Sequence, residues 1–189
     1  MNHLEQLVAE WYEYQGYLIR RNIKVSKRKQ GGYATELDII AFHPGTQQNN
    51  QQQNEVPHVL HIETGIKSSG LKKIEEDCKK KFSNGENYIR TIFGENLPIK
   101  KIVVFDKTPK GRIVNKIKVI DVCNIFQDAI KFFQKKGNGY SQKAVPENLP
   151  LLRTIQLLVH YRKRICPELN DASRKKADKT KKATKGKKR

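Results

Sequence analysis

With 189 residues the chain has room for one ordinary domain plus appendages, and 38 Lys and Arg against 19 Asp and Glu leave it at a formal charge of +19. That excess favours polyanionic partners, and it is not confined to one end. Arg174–Arg189 carries ten basic residues and one acid, a net +9, and the rest of the chain keeps +10. Three cysteines, Cys78, Cys123 and Cys166, are far apart and lack Cys-x-x-Cys spacing, which argues against a disulfide frame or a zinc site and fits a reducing cytosol.

The opening Met-Asn-His-Leu-Glu-Gln-Leu has no signal-peptide character, and no apolar run approaches about 18 residues. The expectation is a soluble cytoplasmic protein with no membrane partner. Residues 3–15 read as a helix, because Leu4, Leu7, Val8 and Trp11 recur at three- and four-residue steps. Glu10 lies at the margin of that stripe, half turned toward the core. Gly16 ends the helix, and Tyr17–Val25 reads as a first strand with basic residues at 20, 21 and 24. Lys27, Arg28, Lys29 and Gly31-Gly32 then form a basic turn.

The next two segments carry charges where charges are costly. Tyr33-Ala-Thr-Glu-Leu-Asp-Ile-Ile-Ala-Phe42 and His58-Val-Leu-His-Ile-Glu-Thr-Gly-Ile-Lys67 are apolar, β-branched and aromatic, as buried strands are. A carboxylate in such a strand loses several kcal/mol of hydration unless a cation or hydrogen-bond donors replace the water. Alternation puts Glu36 with Asp38 on one face, and His61, Glu63, Gly65 and Lys67 together on a face of the next strand. If the strands pair as a hairpin, Asp38 and Glu63 meet at one end of the sheet, where a hard divalent cation would relieve their repulsion. The Gln/Asn-rich residues 44–54 between them read as a tolerated loop insertion. His43 and His58 flank it without metal-ligand spacing on a helix, and His61 shares the face of Glu63.

Residues 71–93 have helical spacing through Leu71, Ile74, Cys78, Phe82, Ile89 and Phe93, with a break expected at Asn84-Gly85. The Lys79-Lys80-Lys81 run on it reads as a solvated face. Lys101–Asp106 is a compact strand, and residues 119–136 read as an amphipathic helix through Val119, Val122, Phe126, Ile130 and Phe133. Leu149–Ile165 is a last helix with Leu152, Ile155, Leu158 and Val159 on one side. From about Asn170 nothing apolar anchors the chain, and disorder is expected.

The order helix, strand, acidic strand, acidic strand, helix, strand, with Glu10, Glu36-Leu-Asp38-Ile-Ile-Ala and His61-Ile-Glu63-Thr-Gly65, resembles the PD-(D/E)XK nuclease superfamily. The similarity covers roughly residues 3–135. It implies an α/β fold: a three-layer α/β/α restriction-endonuclease-like core over residues 1–136 with a central mixed β-sheet. A linker and C-terminal helix (137–169) would pack on that core, followed by the Lys-rich tail (170–189). The resemblance assigns Mg²⁺ to Asp38 and Glu63 and an assisting role to Glu10; the carbonyl of Thr64 is the expected third ligand, and Mn²⁺ a substitute. The family's lysine, which positions and activates the attacking water, falls on Gly65. Lys67 is the substitute two residues on, displaced by roughly 6.6 Å along the strand.

On this reading the expected function is Mg²⁺-dependent hydrolysis of DNA phosphodiester bonds. Lys24, Lys27, Arg28, Lys29, Lys67, Lys72 and Lys73 would hold the phosphate backbone, which positions nucleic acid without reading its sequence. DNA is the expected partner, RNA is the other polyanion that the charge admits, and a homodimer stays open. The alternatives are a nuclease-fold DNA-binding protein whose chemistry decayed at Gly65, or a basic structural protein of a ribonucleoprotein.

Overall fold

The computed structural model describes residues 2–45, 55–65, 71–105, 113–114, 116–135 and 144–165. The chain divides into two units, residues 1–128 and 129–189. In the first, α1 (His3–Tyr14) leads into β1 (Leu18–Lys27), β2 (Tyr33–His43) and β3 (His58–Thr64). Then come α2 (Leu71–Phe93), β4 (Ile99–Phe105), the two-residue β5 (Ile113–Val114), β6 (Ile117–Asp121) and the start of α3 (Val122–Gln134). The strands form one mixed sheet in the order β1-β2-β3-β4-β6-β5.

β2 and β3 form the expected antiparallel hairpin, with His43 opposite His58 and Ile39 opposite Ile62. β3 then runs parallel to β4, and β4 to β6. A parallel step needs a crossover, and α2 supplies it between β3 and β4. Alternation divides the two layers of side chains. Val103, Phe105, Ile117 and Val119 pack with Cys78 and Phe82 of α2, and Ile40 and Val59 pack with Ile89 farther along the same helix. Leu60 and Ile102 point the other way, toward Trp11 and Tyr12 of α1. All seven residues of β3 are buried, so its polar members His58, His61, Glu63 and Thr64 must find partners inside the protein.

Two elements differ from the sequence reading. α2 runs unbroken through Asn84-Gly85. A Cβ on Gly85 would stand 2.1 Å from His61 Cε1, so the glycine is the notch that lets the helix lie against a buried imidazole. Glycine costs roughly 1 kcal/mol relative to alanine inside a helix, and here it makes the room that the ring occupies. The second difference lies at residues 119–121, expected as the start of the helix over 119–136 and found at the end of a strand, β6 (Ile117–Asp121). The helix begins at Val122, where Asp121 Oδ1 caps the amide of Cys123 at 2.7 Å. Val119 and Val122 have a helical interval only because a strand ends between them.

In the second unit α4 (Pro150–Ile165) opens on a proline, which suits a first helical position. Its buried positions are Leu152, Ile155 and Gln156, and Leu158 is exposed. Gln156 Oε1 accepts from the Val145 amide at 2.9 Å, which satisfies a polar group within the unit. Lys67, residues 46–54 and the tail 170–189 lie outside the described residues. No helix among the described residues is long and apolar enough to cross a membrane.

Candidate functional site

Glu63 is fully buried on β3, and both of its carboxylate oxygens are engaged. Oε1 lies 2.8 Å from Nε2 of His61, its neighbour on the same strand face. A carboxylate only accepts, so that nitrogen carries the imidazole proton and donates it. Oε2 accepts from the ammonium of Lys81, which reaches across from α2 to 2.5 Å. The same ammonium stands 3.6 Å from Asp38 Oδ1 on β2.

Asp38 is held from the other side by Thr64. The Thr64 amide donates to Oδ2 at 2.7 Å and its hydroxyl donates to the same oxygen at 3.1 Å. The end of β3 therefore fixes the carboxylate on β2, and Oδ1 is left facing Lys81. The hairpin brings the two acids together as the alternation predicted.

The electrostatics follow from burial. Loss of water raises the pKa of Asp38 above the usual carboxylate range; the charge of Glu63 raises it further, and the Thr64 bonds and Lys81 only partly offset this. For Lys81, burial favours the neutral amine. The hydrogen bond and charge of Glu63, with the charge of Asp38, outweigh it and hold the ammonium above lysine's ordinary pKa. Lys81 is thus a firm cation at neutral pH.

Lys81 is the residue the sequence reading missed, placed there in a solvated run. Its signal was positional: it falls three residues after Cys78 and one before Phe82, on the shoulder of the apolar stripe of α2. Gly65, where the motif lysine would fall, has φ +70°, and a Cβ there would come 3.1 Å from Asn2 Nδ2. A lysine side chain at that point would carry backbone strain of about 1–3 kcal/mol.

Glu10 is buried on α1 and accepts from Gln6 Nε2 at 2.8 Å. On the same helix, burial first, then the charge of Asp38, pushes the Glu5 carboxyl upward, against the pull of Arg21. Lys24 and Lys27 are exposed on the edge strand β1, and Arg28 and Lys29 are exposed in the turn after it. Lys72 and Lys73 lie in the first turn of α2. His43 and His58 stack on each other at the opposite end of the hairpin, where the Tyr17 hydroxyl meets His58 Nε2 at 3.2 Å.

Among the described residues no three His, Cys, Asp or Glu side chains converge as a ready metal shell. The pair Asp38 and Glu63 nonetheless fits a hard cation, because both carboxylates already turn to one positive charge. Mg²⁺ commonly takes one or two carboxylates and completes its shell with water and phosphate. No protein-family model matches the chain, and comparison with curated proteins finds no match.

Proposed function

We propose that the chain is a Mg²⁺-dependent DNA endonuclease with a restriction-endonuclease-like core, in which Lys81 takes the part of the motif lysine. The observation that carries this reading is the meeting of Asp38, Glu63 and Lys81 at one end of the β2–β3 hairpin. Two acids on adjacent strands and a lysine are the chemical set that the PD-(D/E)XK resemblance requires, delivered from a different element.

Asp38 and Glu63 would hold the cation, which supplies a bound water of lowered pKa and positive charge beside the scissile phosphate. Thr64 fixes the Asp38 carboxylate and His61 fixes that of Glu63, so the ligand oxygens are positioned before anything binds. Lys81 keeps its proton, so its role is to offer charge: it would steady a phosphate oxygen and the negative charge that builds during attack. Lys24, Lys27, Arg28 and Lys29 would hold the backbone of the DNA through contacts that position without specifying sequence.

The test is plasmid nicking with Mg²⁺ or Mn²⁺, stopped by chelator, in the wild type and in Lys81→Met and Lys67→Ala. The expected result is cleavage lost in Lys81→Met, with DNA binding kept, and largely retained in Lys67→Ala. Loss only in Lys67→Ala would return the role to the strand lysine. DNA binding without nicking under any metal would make the chain a nuclease-fold binding protein. Failure of the protein without residues 170–189 to bind DNA would favour a basic structural protein of a ribonucleoprotein.

A further inference from the structure

On the face of the sheet turned away from α2, a cavity of about 680 Å³ opens over Leu60 and Ile102, within the usual size of a small-molecule site. Its wall is aromatic: Trp11 and Tyr12 come from α1 and Tyr17 from the turn after it, with the rings of Tyr12 and Tyr17 edge to face at 5.3 Å. Its rim is cationic. Lys100 on β4, Lys118 on β6 and Lys116 just before β6 all line it.

The register explains why they converge. Lys118 pairs with Ile102 on the neighbouring parallel strand, and Lys100 precedes Ile102 by two residues, so both share the face of Ile102. Lys116 stands at φ +66°, a conformation that a non-glycine residue adopts at a cost. None of the three has an ion-pair partner among the described residues, whereas Lys101, which also borders the cavity, gives its ammonium to Glu86 of α2, and Lys81 is paired with Asp38 and Glu63. Asp128 is the one acid among the described residues that line the cavity. Like charges gathered round one volume repel, and an anion relieves them.

We infer that this cavity binds a nucleotide, with its base against Trp11, Tyr12 and Tyr17 and its phosphate on Lys100, Lys116 and Lys118. Aromatic side chains stack on any base, and lysines hold phosphate as point charges, so the wall and the rim each match one half of the ligand. Burial, with the charges of Tyr17 and Asp128, pushes the Tyr12 phenol to about 12, so it stays neutral and offers a proton, not a repelling charge. The ligand chemistry is shared by a free nucleotide and by an unpaired nucleotide of a strand. The site lies on the other side of the sheet from Asp38 and Glu63 and does not depend on the nuclease reading.

Trp11 is the chain's one tryptophan, so its fluorescence reports on the cavity directly. The full chain, in chelator, is titrated with a nucleoside monophosphate, a short single-stranded oligonucleotide and inorganic phosphate, with calorimetry in parallel. A saturable Trp11 response is expected. It should weaken by about tenfold or more in the double variant Lys100→Gln, Lys118→Gln, as loss of charge-assisted contacts requires, and stay unchanged in Asp38→Asn. Both lysines are exposed, so an unchanged melting temperature shows that the variant is folded. A response to the monophosphate assigns a free nucleotide as ligand, and one to the oligonucleotide alone assigns a strand. No saturable response to either, equal affinity in the double variant, or inorganic phosphate binding as tightly as the nucleotide would overturn the proposal.

Discussion

Toward α2, Lys81 answers Asp38 and Glu63, and Lys101 answers Glu86 at 2.7 Å; toward α1, Lys100 and Lys118 stand on neighbouring strands with no acid paired to either among the described residues. The difference is one of burial. Glu63 is wholly out of water, and an ionised group there requires a cation within reach. Lys100 and Lys118 keep their hydration at the mouth of a cavity and can wait for a partner from solution. A lysine paired inside the protein cannot be removed without stranding a buried acid; one left unpaired at a cavity is, on our inference, available to a ligand.

The sharpest way to break this comparison is to remove one lysine from each side. Lys81→Met strands Glu63 without its cation and should cost about 2–3 kcal/mol in chelator, less than a fully buried pair because Lys81 is 35% exposed. Lys118→Met should change stability by less than about 0.5 kcal/mol. Urea unfolding measures both. Added Mg²⁺ should stabilise Lys81→Met more than the wild type, because no ammonium then competes for the carboxylates. Equal losses in the two variants would erase the distinction between the faces.

A smaller effect is expected at the notch. In an exposed helix Gly→Ala stabilises by about 1 kcal/mol. Gly85→Ala should instead destabilise by about 1–3 kcal/mol, as overpacking does, because the new methyl meets the His61 ring. Adding His61→Ala should remove that penalty, so a double-mutant cycle by thermal or urea melting reads the contact itself. A stabilised Gly85→Ala single variant would show that the helix does not press on the imidazole.

The smallest effect is pH-dependent and concerns Asp38. Its folded pKa is raised, so between the unfolded value near 3.8 and the folded value the native state binds more protons than the unfolded chain. Stability from this group therefore falls as pH rises through that window, and the ionised form is a net cost at neutral pH. Asp38→Asn should gain up to about 1 kcal/mol at pH 7 in chelator, and the gain should vanish below about pH 4, where the native aspartate is also neutral. Lys81, with its raised pKa, keeps its contribution throughout this range and loses it only at alkaline pH. Chemical unfolding at pH 7 and pH 4 decides the matter, and a loss exceeding 1 kcal/mol at pH 7 would mean that the carboxylate is stabilising.

Alternation by itself determined that Asp38 and Glu63 sit in buried strands and meet across a hairpin, because strand periodicity is local and an acid among β-branched residues is conspicuous. It also placed His61 beside Glu63. What it could not determine was the cation. Lys81 lies on the crossover helix that follows β3, and that helix approaches the sheet closely where Gly85 meets His61, a contact between residues 24 apart. A glycine that reads locally as a break became a notch only once a ring stood opposite it. Likewise the valines at 119 and 122 keep a helical interval on paper, and only pairing with β4 makes the first of them a strand residue. Local pattern fixes which way a side chain points; which charges and rings it then meets is decided by packing between distant segments, where burial makes pairing obligatory.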